Sequence, residues 1–390
     1  MSQKSDVMTV PFHVAAVGEQ EAQAAAEVIR SGWLTMGPRT FEFERQFAAY
    51  VGARHAIAVS SCTAALHLAL EAIGIQPGDE VLLPTTTFTA TGEVVCYLGA
   101  KPVLADVEPA SMNLDPVDAV RRITSRTKAI IPVHLAGVPC EMEQIQGLAS
   151  THGLRVIEDA AHSLPASYRG TPIGALSEIT AFSFYATKTL TTGEGGMLTT
   201  ANDQIAERMR IMRLHGIERE AWKRYSGDGS WFYQVLDAGF KYNMTDIQAA
   251  IGLVQLGKCD DLSTARQAIA DRYTAAFSCM EALHVPESYT DRKTSWHLYV
   301  LRLRTERLSI GRDAFVSELK RRGIGTSVHF IPLHLHPFYQ NRFGYRPGDF
   351  PQAEAEYARA FSLPIFPTMS SAEIEAVITS VSEVVQAFGR

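Results

Sequence analysis

One lysine in this sequence stands where an amine could react with an aldehyde. Lys188 follows the apolar run AFSFY and precedes TTGEGG, a glycine-rich return into another apolar run. A lysine amine forms a Schiff base with an aldehyde cofactor once a shielded site has removed its proton. Ser183 could bind a phosphate nearby, and the glycines allow close approach of the backbone. An ordinary surface lysine is the alternative, and the motifs described next argue against it.

An acidic pair ends a second apolar run. The segment RVIED predicts a strand that ends with Glu158 and Asp159, which places a carboxylate at the carboxyl edge of the sheet. A carboxylate there could hold a heterocyclic nitrogen in its protonated form, which turns the ring into an electron sink. The alternatives are a helix N-cap and a surface ion pair.

Two further segments could hold a flat, phosphorylated ring. In VSSCTAALHLAL a strand meets a helix that begins at Cys62 or Thr63, and the free N–H groups of a helix start suit a phosphate. In PTTTFTAT, Phe88 follows a strand and could stack on the ring. The alternatives are an ordinary helix cap and a core phenylalanine.

Motifs of competing kinds of site are absent from the sequence. It contains no GxGxxG after a strand, no GxxxxGK[ST], no HExxH and no GxSxG. The histidines are too loosely spread for a helix-borne metal pair, so we predict no metal site. The histidines considered are His162, His215, His329, His334 and His336.

The elements that must position these residues follow from the hydrophobic pattern. From about residue 54 to residue 200, short apolar runs alternate with helix-length segments. This alternation predicts an α/β fold with a mostly parallel sheet covered on both faces. Ligands of such sheets bind beyond the carboxyl ends of the strands. All four motifs follow strands, so we expect them to converge there.

The rest of the chain predicts a second, smaller domain. Residues 211–241 form a polar, aromatic stretch, long enough for a functional or interface loop. Residues 245–277 read as one long helix that bridges the domains. We predict a large domain at 1–255 and a small α+β domain at 256–390.

Composition narrows the class of protein. The 390 residues carry a net charge of −6, which gives a nucleic acid no electrostatic attraction. No apolar stretch approaches the roughly 18 residues that a membrane span needs. The five scattered cysteines form no CxxC pair, which favours a reduced, cytoplasmic protein.

Together these motifs resemble the DegT/DnrJ sugar-nucleotide aminotransferases, over nearly the whole chain. That family has the aspartate-aminotransferase-like fold (fold type I) of pyridoxal-phosphate enzymes. The matching segments are SGWLTMGP, AVSSCTAALHLAL, GDEVLLPTTTFTAT, AIIPVHLAG, VIEDAAHS, FSFYATKTLTTGEGG, RLHG and GFKYNMTDIQAAIG.

The resemblance implies a role for each site residue. Lys188 would hold pyridoxal 5'-phosphate as a Schiff base and carry a proton, Asp159 would pair with the ring nitrogen, and His162 would contact the ring. Asn243 would reach in from a partner subunit, which implies a homodimer with shared active sites. The implied cofactor contacts are Cys62, Thr63, Phe88, Asp159, His162, Ser183, Lys188 and Asn243.

The resemblance is closest to the branch that aminates C4 of nucleotide-linked 4-keto sugars, such as the UDP-4-amino-4-deoxy-L-arabinose aminotransferases. By that likeness it implies a UDP-linked keto sugar as substrate, with glutamate as donor and pyridoxamine phosphate between the half-reactions. The implied substrate contacts are Trp33, Thr35, Glu194 and His329. No single arginine stands out as the partner of the donor carboxylate.

Several alternatives stay open at this point. They are amination at C3, amination of a cyclitol ketone, a sugar 3-dehydratase and a non-catalytic regulator of the same fold. In the dehydratase subgroup a histidine replaces the lysine, and a regulator would be expected to have lost Lys188 or Asp159. This sequence retains both residues.

Overall fold

A computed structural model describes residues 8–218 and 232–390. The strands in it are β1 (His55–Val59), β2 (Glu80–Pro84), β3 (Lys101–Ala105), β4 (Thr127–Ile130), β5 (Arg155–Asp159), β6 (Ser167–Tyr168), β7 (Thr171–Pro172), β8 (Ile179–Ser183), β9 (Gly196–Thr200), β10 (Leu283–His284), β11 (Arg292–Lys293), β12 (Tyr299–Leu303) and β13 (Ala360–Leu363).

The helices cover nearly half of the remaining described chain. They are α1 (Glu19–Ser31), α2 (Pro38–Val51), α3 (Cys62–Ala72), α4 (Thr89–Tyr97), α5 (Pro116–Arg121), α6 (Met142–His152), α7 (Asp203–Met212), α8 (Asp246–Gly257), α9 (Cys259–Phe277), α10 (Arg312–Arg321), α11 (Pro337–Phe343), α12 (Pro351–Arg359) and α13 (Ser371–Phe388).

A sheet of seven strands forms the centre, in the order β1-β9-β8-β5-β4-β2-β3. Within it β9 runs antiparallel to both of its neighbours, and the other pairings are parallel. Alternate residues of β1 show why the strands are apolar throughout. Ala56 and Ala58 face one buried core, and Ile57 and Val59 face the other. The predicted covered, mostly parallel sheet is therefore confirmed.

One predicted helix is two helices in the structure. The pattern over residues 245–277 reads as continuous, but α8 ends at Gly257 and α9 begins at Cys259. Lys258 lies between the two helices and belongs to neither. Its ammonium binds the Glu21 carboxylate of α1 at 2.8 Å. Gly257 weakens the helix at this point, and the ion pair draws the chain towards α1. Periodicity alone contains neither signal, so the single-helix prediction was wrong.

A further core, separate from the two on the faces of the large sheet, lies around the sheet β10-β12-β13. Val10, close to the N-terminus, is buried in this core and pairs with Ile324. Leu333 and Phe350, in contrast, belong to a core of the large sheet. The chain thus passes more than once between the large sheet and the core around β10-β12-β13. The division into domains at residue 255 stays a prediction.

The polar stretch at 211–241 is described only at its two ends. Leu214 pairs with Lys241 and Ile217 pairs with Val235, so the ends run side by side. Residues 219–231 lie outside the described part, and the functional or interface loop predicted there stays a prediction.

Candidate active site

The carboxyl ends of β2, β5 and β8 meet the start of α3 at a cavity of about 460 Å3. All four sequence motifs therefore converge on one place, as parallel strands require. Nine of the twelve candidate residues line this cavity. They are Cys62, Thr63, Phe88, Asp159, His162, Ser183, Lys188, Glu194 and His329.

The other three candidates lie outside the lining. The Trp33 indole N–H donates to the Met36 carbonyl at 3.2 Å, in the turn before α2. The Thr35 carbonyl accepts from the backbone N–H at the start of α8 at 3.2 Å. Asn243 pairs with Val59 at the outer end of β1. The substrate roles of the first two and the partner role of Asn243 stay predictions.

Asp159 is fixed in its position at the end of β5. Its carboxylate accepts a hydrogen bond from the Thr91 hydroxyl at 2.8 Å and one from the Ala161 N–H at 3.1 Å. Burial raises the pKa of Asp159, while these two donors and the charge of Lys188 act in the opposite direction. The residue is 5% exposed, so its charge must be stabilised by neighbouring groups such as these and by a cation bound in the cavity rather than by bulk water.

The amine of Lys188 is set for reaction by its surroundings. Burial lowers its pKa from 10.5 to about 8, although Cys62 and Asp159 oppose the shift. A larger share of the amine is therefore neutral near neutral pH than in a solvated lysine, and the neutral form is the nucleophile. The turn that presents it is closed by a bond from the Lys188 N–H to the Tyr185 carbonyl at 2.9 Å.

The start of α3 offers a cradle for an anion. The Ser61 hydroxyl caps the helix by accepting from the Ala64 N–H at 3.0 Å, and Cys62 and Thr63 begin the helix at the cavity wall. Gly196 of β9 makes this approach possible, because a Cβ atom there would stand 2.6 Å from the Ser61 carbonyl carbon. Backbone N–H groups and the helix dipole together favour a phosphate at this point.

Three histidines line the cavity in their neutral form. The Ala136 N–H donates to His162 Nδ1 at 3.2 Å, so the proton of this neutral ring is on Nε2. Burial lowers the pKa of His162 well below 6.5. Burial, followed by the charge of Lys188, lowers the pKa of His329 to about 4. The third histidine, His297, also lines the cavity.

Behind Asp159 lies a pair of side chains with no exposure to solvent. His134 Nε2 is 2.8 Å from the Glu158 carboxylate, and both side chains are fully buried. The Cys140 N–H donates to His134 Nδ1 at 3.0 Å, so Nε2 is the nitrogen that donates to Glu158. The Thr180 hydroxyl donates to the same carboxylate at 3.1 Å. The two adjacent acids of β5 thus have different partners.

Sequence reasoning missed several residues of the lining. Phe12 lies far upstream of the motifs, and Phe330 follows no strand. His297 precedes β12, whereas we searched the ends of strands. Thr91 could have been predicted from the sequence, because it belongs to the same segment, PTTTFTAT, as the candidate Phe88.

Comparison with known proteins identifies the chain's family. Residues 15–382 match the model of the DegT/DnrJ/EryC1/StrS aminotransferase family. The chain belongs to this family. SpsC of Bacillus subtilis, a spore coat polysaccharide biosynthesis protein, is 47% identical over 378 residues, which are 97% of either chain. The uncharacterized protein MJ1066 of Methanocaldococcus jannaschii is 50% identical over 369 residues, 95% of this chain and 96% of that protein.

A solved structure extends the likeness to three dimensions. Spr1654 of Streptococcus pneumoniae, a candidate sugar aminotransferase, matches in its PMP-form with a TM-score of 0.92 at 32% identity, covering 97% of this chain and 100% of that chain. Its PLP-form matches with a TM-score of 0.90. The predicted DegT/DnrJ membership, fold type I, aminotransferase activity and pyridoxal phosphate cofactor are confirmed.

The cavity of this DegT/DnrJ chain fits the cofactor at its three reactive ends. The start of α3 suits the phosphate, the Asp159 carboxylate suits a protonated ring nitrogen, and the Lys188 amine suits the aldehyde. Each group is buried or partly buried in the same wall, so the fit depends on the arrangement rather than on one residue.

The described residues contain neither a helix that could span a membrane nor a cluster of metal-binding side chains. Within residues 8–218 and 232–390 no helix is long and apolar enough to cross a membrane. The same residues contain no cluster of three or more His, Cys, Asp or Glu side chains that could hold a metal ion.

Proposed function

We propose that this enzyme transfers an amino group from glutamate to C4 of a nucleotide-linked 4-keto sugar, with UDP as the nucleotide. The observation that carries the proposal is the convergence of Lys188, Asp159 and the start of α3 on one cavity. When bound, pyridoxal phosphate supplies an electron sink and carries the amino group, as pyridoxamine phosphate, between the half-reactions.

We assign the following roles to the chain's own residues. Asp159 keeps a proton on the ring nitrogen through its buried charge, and Lys188 holds the cofactor and then moves a proton at its Nζ. His162 contacts the ring through Nε2, the nitrogen that bears its proton. Phe88, which lines the cavity and is 57% exposed, would stack on the ring.

The phosphate and substrate contacts complete the assignment. Cys62, Thr63 and Ser183 would bind the phosphate. Glu194 and His329 line the cavity and would contact the substrate. Trp33 and Thr35 keep their predicted substrate roles, although both lie outside the cavity lining of this chain.

A sugar is favoured by the chemistry of the lining. No arginine is among the described residues that line the cavity, and its histidines are neutral. Neutral imidazoles both donate and accept hydrogen bonds, as hydroxyl groups do. The names of SpsC and Spr1654, which refer to a polysaccharide and a sugar, support the same substrate class.

We also propose a homodimer in which Asn243 completes the partner's phosphate site. The chain near Asn243 carries exposed apolar side chains, including Val235 at 61% and Leu236 at 55%. Exposed apolar patches of this kind mark association surfaces. The cytoplasmic location stays a prediction.

A panel of substrates tests the proposed function. Purified enzyme with glutamate would be given UDP- and dTDP-linked 4-keto sugars, 3-keto sugars and a cyclitol ketone, and amino products would be measured by mass spectrometry. We expect the 4-keto sugars to react fastest and K188A to be inactive. Faster reaction of a 3-keto sugar or the cyclitol would contradict the C4 assignment. A cofactor-loaded enzyme that aminates nothing would favour a regulator.

A further inference from the structure

His297 lies in the inner wall of the active-site cavity, together with Lys188, His162 and His329. It is 6% exposed, and its ring centroid is 4.2 Å from that of His162. The ring therefore lies among the reactive groups of the cavity and is almost closed to bulk solvent.

The imidazole of His297 has unused hydrogen-bonding capacity. Among the described residues neither ring nitrogen has a hydrogen-bond partner, and Nδ1 is fully buried. The neighbouring histidines differ, because the Ala136 N–H donates to His162 Nδ1 and Ser362 Oγ is 2.8 Å from His329 Nδ1. A buried imidazole without partners is unfavourable, so a bound molecule is the natural source of one.

The backbone on either side holds the ring in place. The Arg266 guanidinium donates to the Trp296 carbonyl at 3.3 Å and, more weakly, to that of His297 at 3.5 Å. On the other side, the Leu298 N–H donates to the Ala136 carbonyl at 3.3 Å. The imidazole is therefore presented to the cavity in a prearranged position, as a ligand contact requires.

The charge state of His297 indicates the chemistry of its ligand. Burial lowers its pKa well below 6.5, and the nearby positive charges, those of Lys188 and Arg266 among them, lower it further. A neutral imidazole donates through one nitrogen and accepts through the other, which matches a hydroxyl group. The carboxylate of an amino donor instead requires a cation.

We propose that His297 is a substrate-binding residue that forms a hydrogen bond with a hydroxyl group of the sugar. This inference rests on the proposed function, and it names a residue that would contact the sugar and not the amino donor. The other possibility is that the ring only supports His162. In that case, loss of the ring would disturb the cofactor and hence both half-reactions.

Separate measurement of the two half-reactions distinguishes these possibilities. The donor half-reaction is followed by the loss of visible absorbance when glutamate is added to the pyridoxal phosphate enzyme. The sugar half-reaction is followed by its return when the UDP-linked 4-keto sugar is added to the pyridoxamine phosphate enzyme. The variants are H297F, which removes both nitrogens, and H297N and H297Q, each of which places an amide near one of them.

We expect H297F to lower kcat/KM of the sugar half-reaction about 10- to 100-fold, mainly through KM, and to leave the donor half-reaction within about twofold. One of the two amide variants should restore most of the sugar half-reaction. H67F is the matched control, because His67 is also 6% exposed and its Nε2 is also buried without a partner, but it does not line the cavity.

Three results would overturn the inference. They are an unchanged sugar half-reaction in H297F, an equal loss in both half-reactions, and a loss confined to glutamate. The amide variants keep the test decisive if H297F does not fold, since they too should change the sugar half-reaction without changing the donor one. Wild-type enzyme that reacts with glutamate but with no keto sugar would instead contradict the proposed function, and the inference with it.

Discussion

The reactive groups of this site are shifted from their ordinary protonation behaviour by burial more than by any single partner. Burial raises the pKa of Asp159 and lowers that of Lys188, and in each case the nearest charges oppose the shift. Both shifts disfavour the charged form, so the protein without cofactor stores an unfavourable arrangement. Binding of a ligand that matches these groups relieves it.

The lysine gives a prediction about stability. Unfolded Lys188 keeps its proton up to a pKa of about 10.5 and the folded form only up to about 8, so unfolding takes up a proton between these values. The loss of folding stability caused by the buried ammonium is complete below pH 8, and it becomes smaller as the pH rises towards 10.5. Since Lys188 as a whole residue is only partly buried, solvent reduces the penalty, and we expect cofactor-free K188M to be more stable than wild type by about 2 kcal/mol at neutral pH.

Urea unfolding of both cofactor-free proteins at neutral pH and near pH 10 measures this difference. The difference in the free energy of unfolding between K188M and wild type should be smaller at the higher pH. K320M, a substitution on α10 outside the cavity, is the control and should show no such dependence. A gap that stays constant with pH would show that packing, rather than charge, causes it.

The aspartate gives a prediction about catalysis. D159N retains the shape and can accept from the Ala161 N–H, but it removes the charge that keeps the ring nitrogen protonated. We expect kcat to fall about 100- to 1,000-fold, while the protein still binds the cofactor. Steady-state kinetics and the visible spectrum of D159N would check this, and near-normal turnover with cofactor bound would refute the assigned role.

At the scale of elements, side chains from distant segments fix the helix ends around the site. Asp246, in the first turn of α8, accepts hydrogen bonds from the Gly37 N–H at 2.8 Å, the Arg39 N–H at 3.1 Å and the Thr40 N–H at 2.9 Å. These are the donors that a helix start leaves unpaired, so one carboxylate caps α2 from another helix.

Removal of this remote cap should be costly. D246A would leave several buried donors of α2 without a partner, and we expect the free energy of unfolding to fall by about 2–4 kcal/mol. Asp313 occupies the first turn of α10 but its side chain is 90% exposed, so D313A is the matched control and should change little. Equal losses in chemical denaturation of the two variants would show that the remote contacts are unimportant.

The close approach of β9 to α3 gives a second prediction at this scale. In G196A the new methyl group would meet the Ser61 backbone at 2.6 Å and displace the start of α3. We expect the dissociation constant for pyridoxal phosphate, measured by fluorescence titration, to rise about tenfold or more. G147A, in α6 with no atom within 4 Å of the added carbon, should bind as wild type does.

The sequence predicted best what depends on local pattern. The strand-ending motifs around Asp159 and Lys188 could be found because parallel strands bring their carboxyl ends to one edge. The break at Lys258 was missed, because the apolar periodicity continues through it and the Glu21 partner of Lys258 lies more than 200 residues away. His297 and Phe12 reach the cavity through tertiary contacts of segments without a recognisable motif, so no local signal marks them.

At the scale of the whole molecule, the predicted shared active site can be tested by complementation. K188A lacks the amine, and N243A is expected to lack a phosphate contact that it supplies to its partner. If sites are shared, a mixed dimer combines both defects in one site and leaves the other intact. Refolding K188A and N243A together should therefore give activity above that of either alone.

The measurement is amino transfer by the mixture against each variant refolded alone at the same concentration. Mixing the two without unfolding is the control, because subunits that do not exchange should give only the sum of the separate activities. A refolded mixture no more active than that sum would contradict the sharing of Asn243.

The burial of Val10 against Ile324 has a consequence for synthesis of the chain. Val10 leaves the ribosome long before Ile324, which follows it by more than 300 residues. The core of the large sheet also includes Leu333 and Phe350, so it cannot be completed before these residues have been made. A nascent chain of this protein must therefore expose apolar surface of the large sheet until Leu333 and Phe350 have been made, which favours association between unfinished chains.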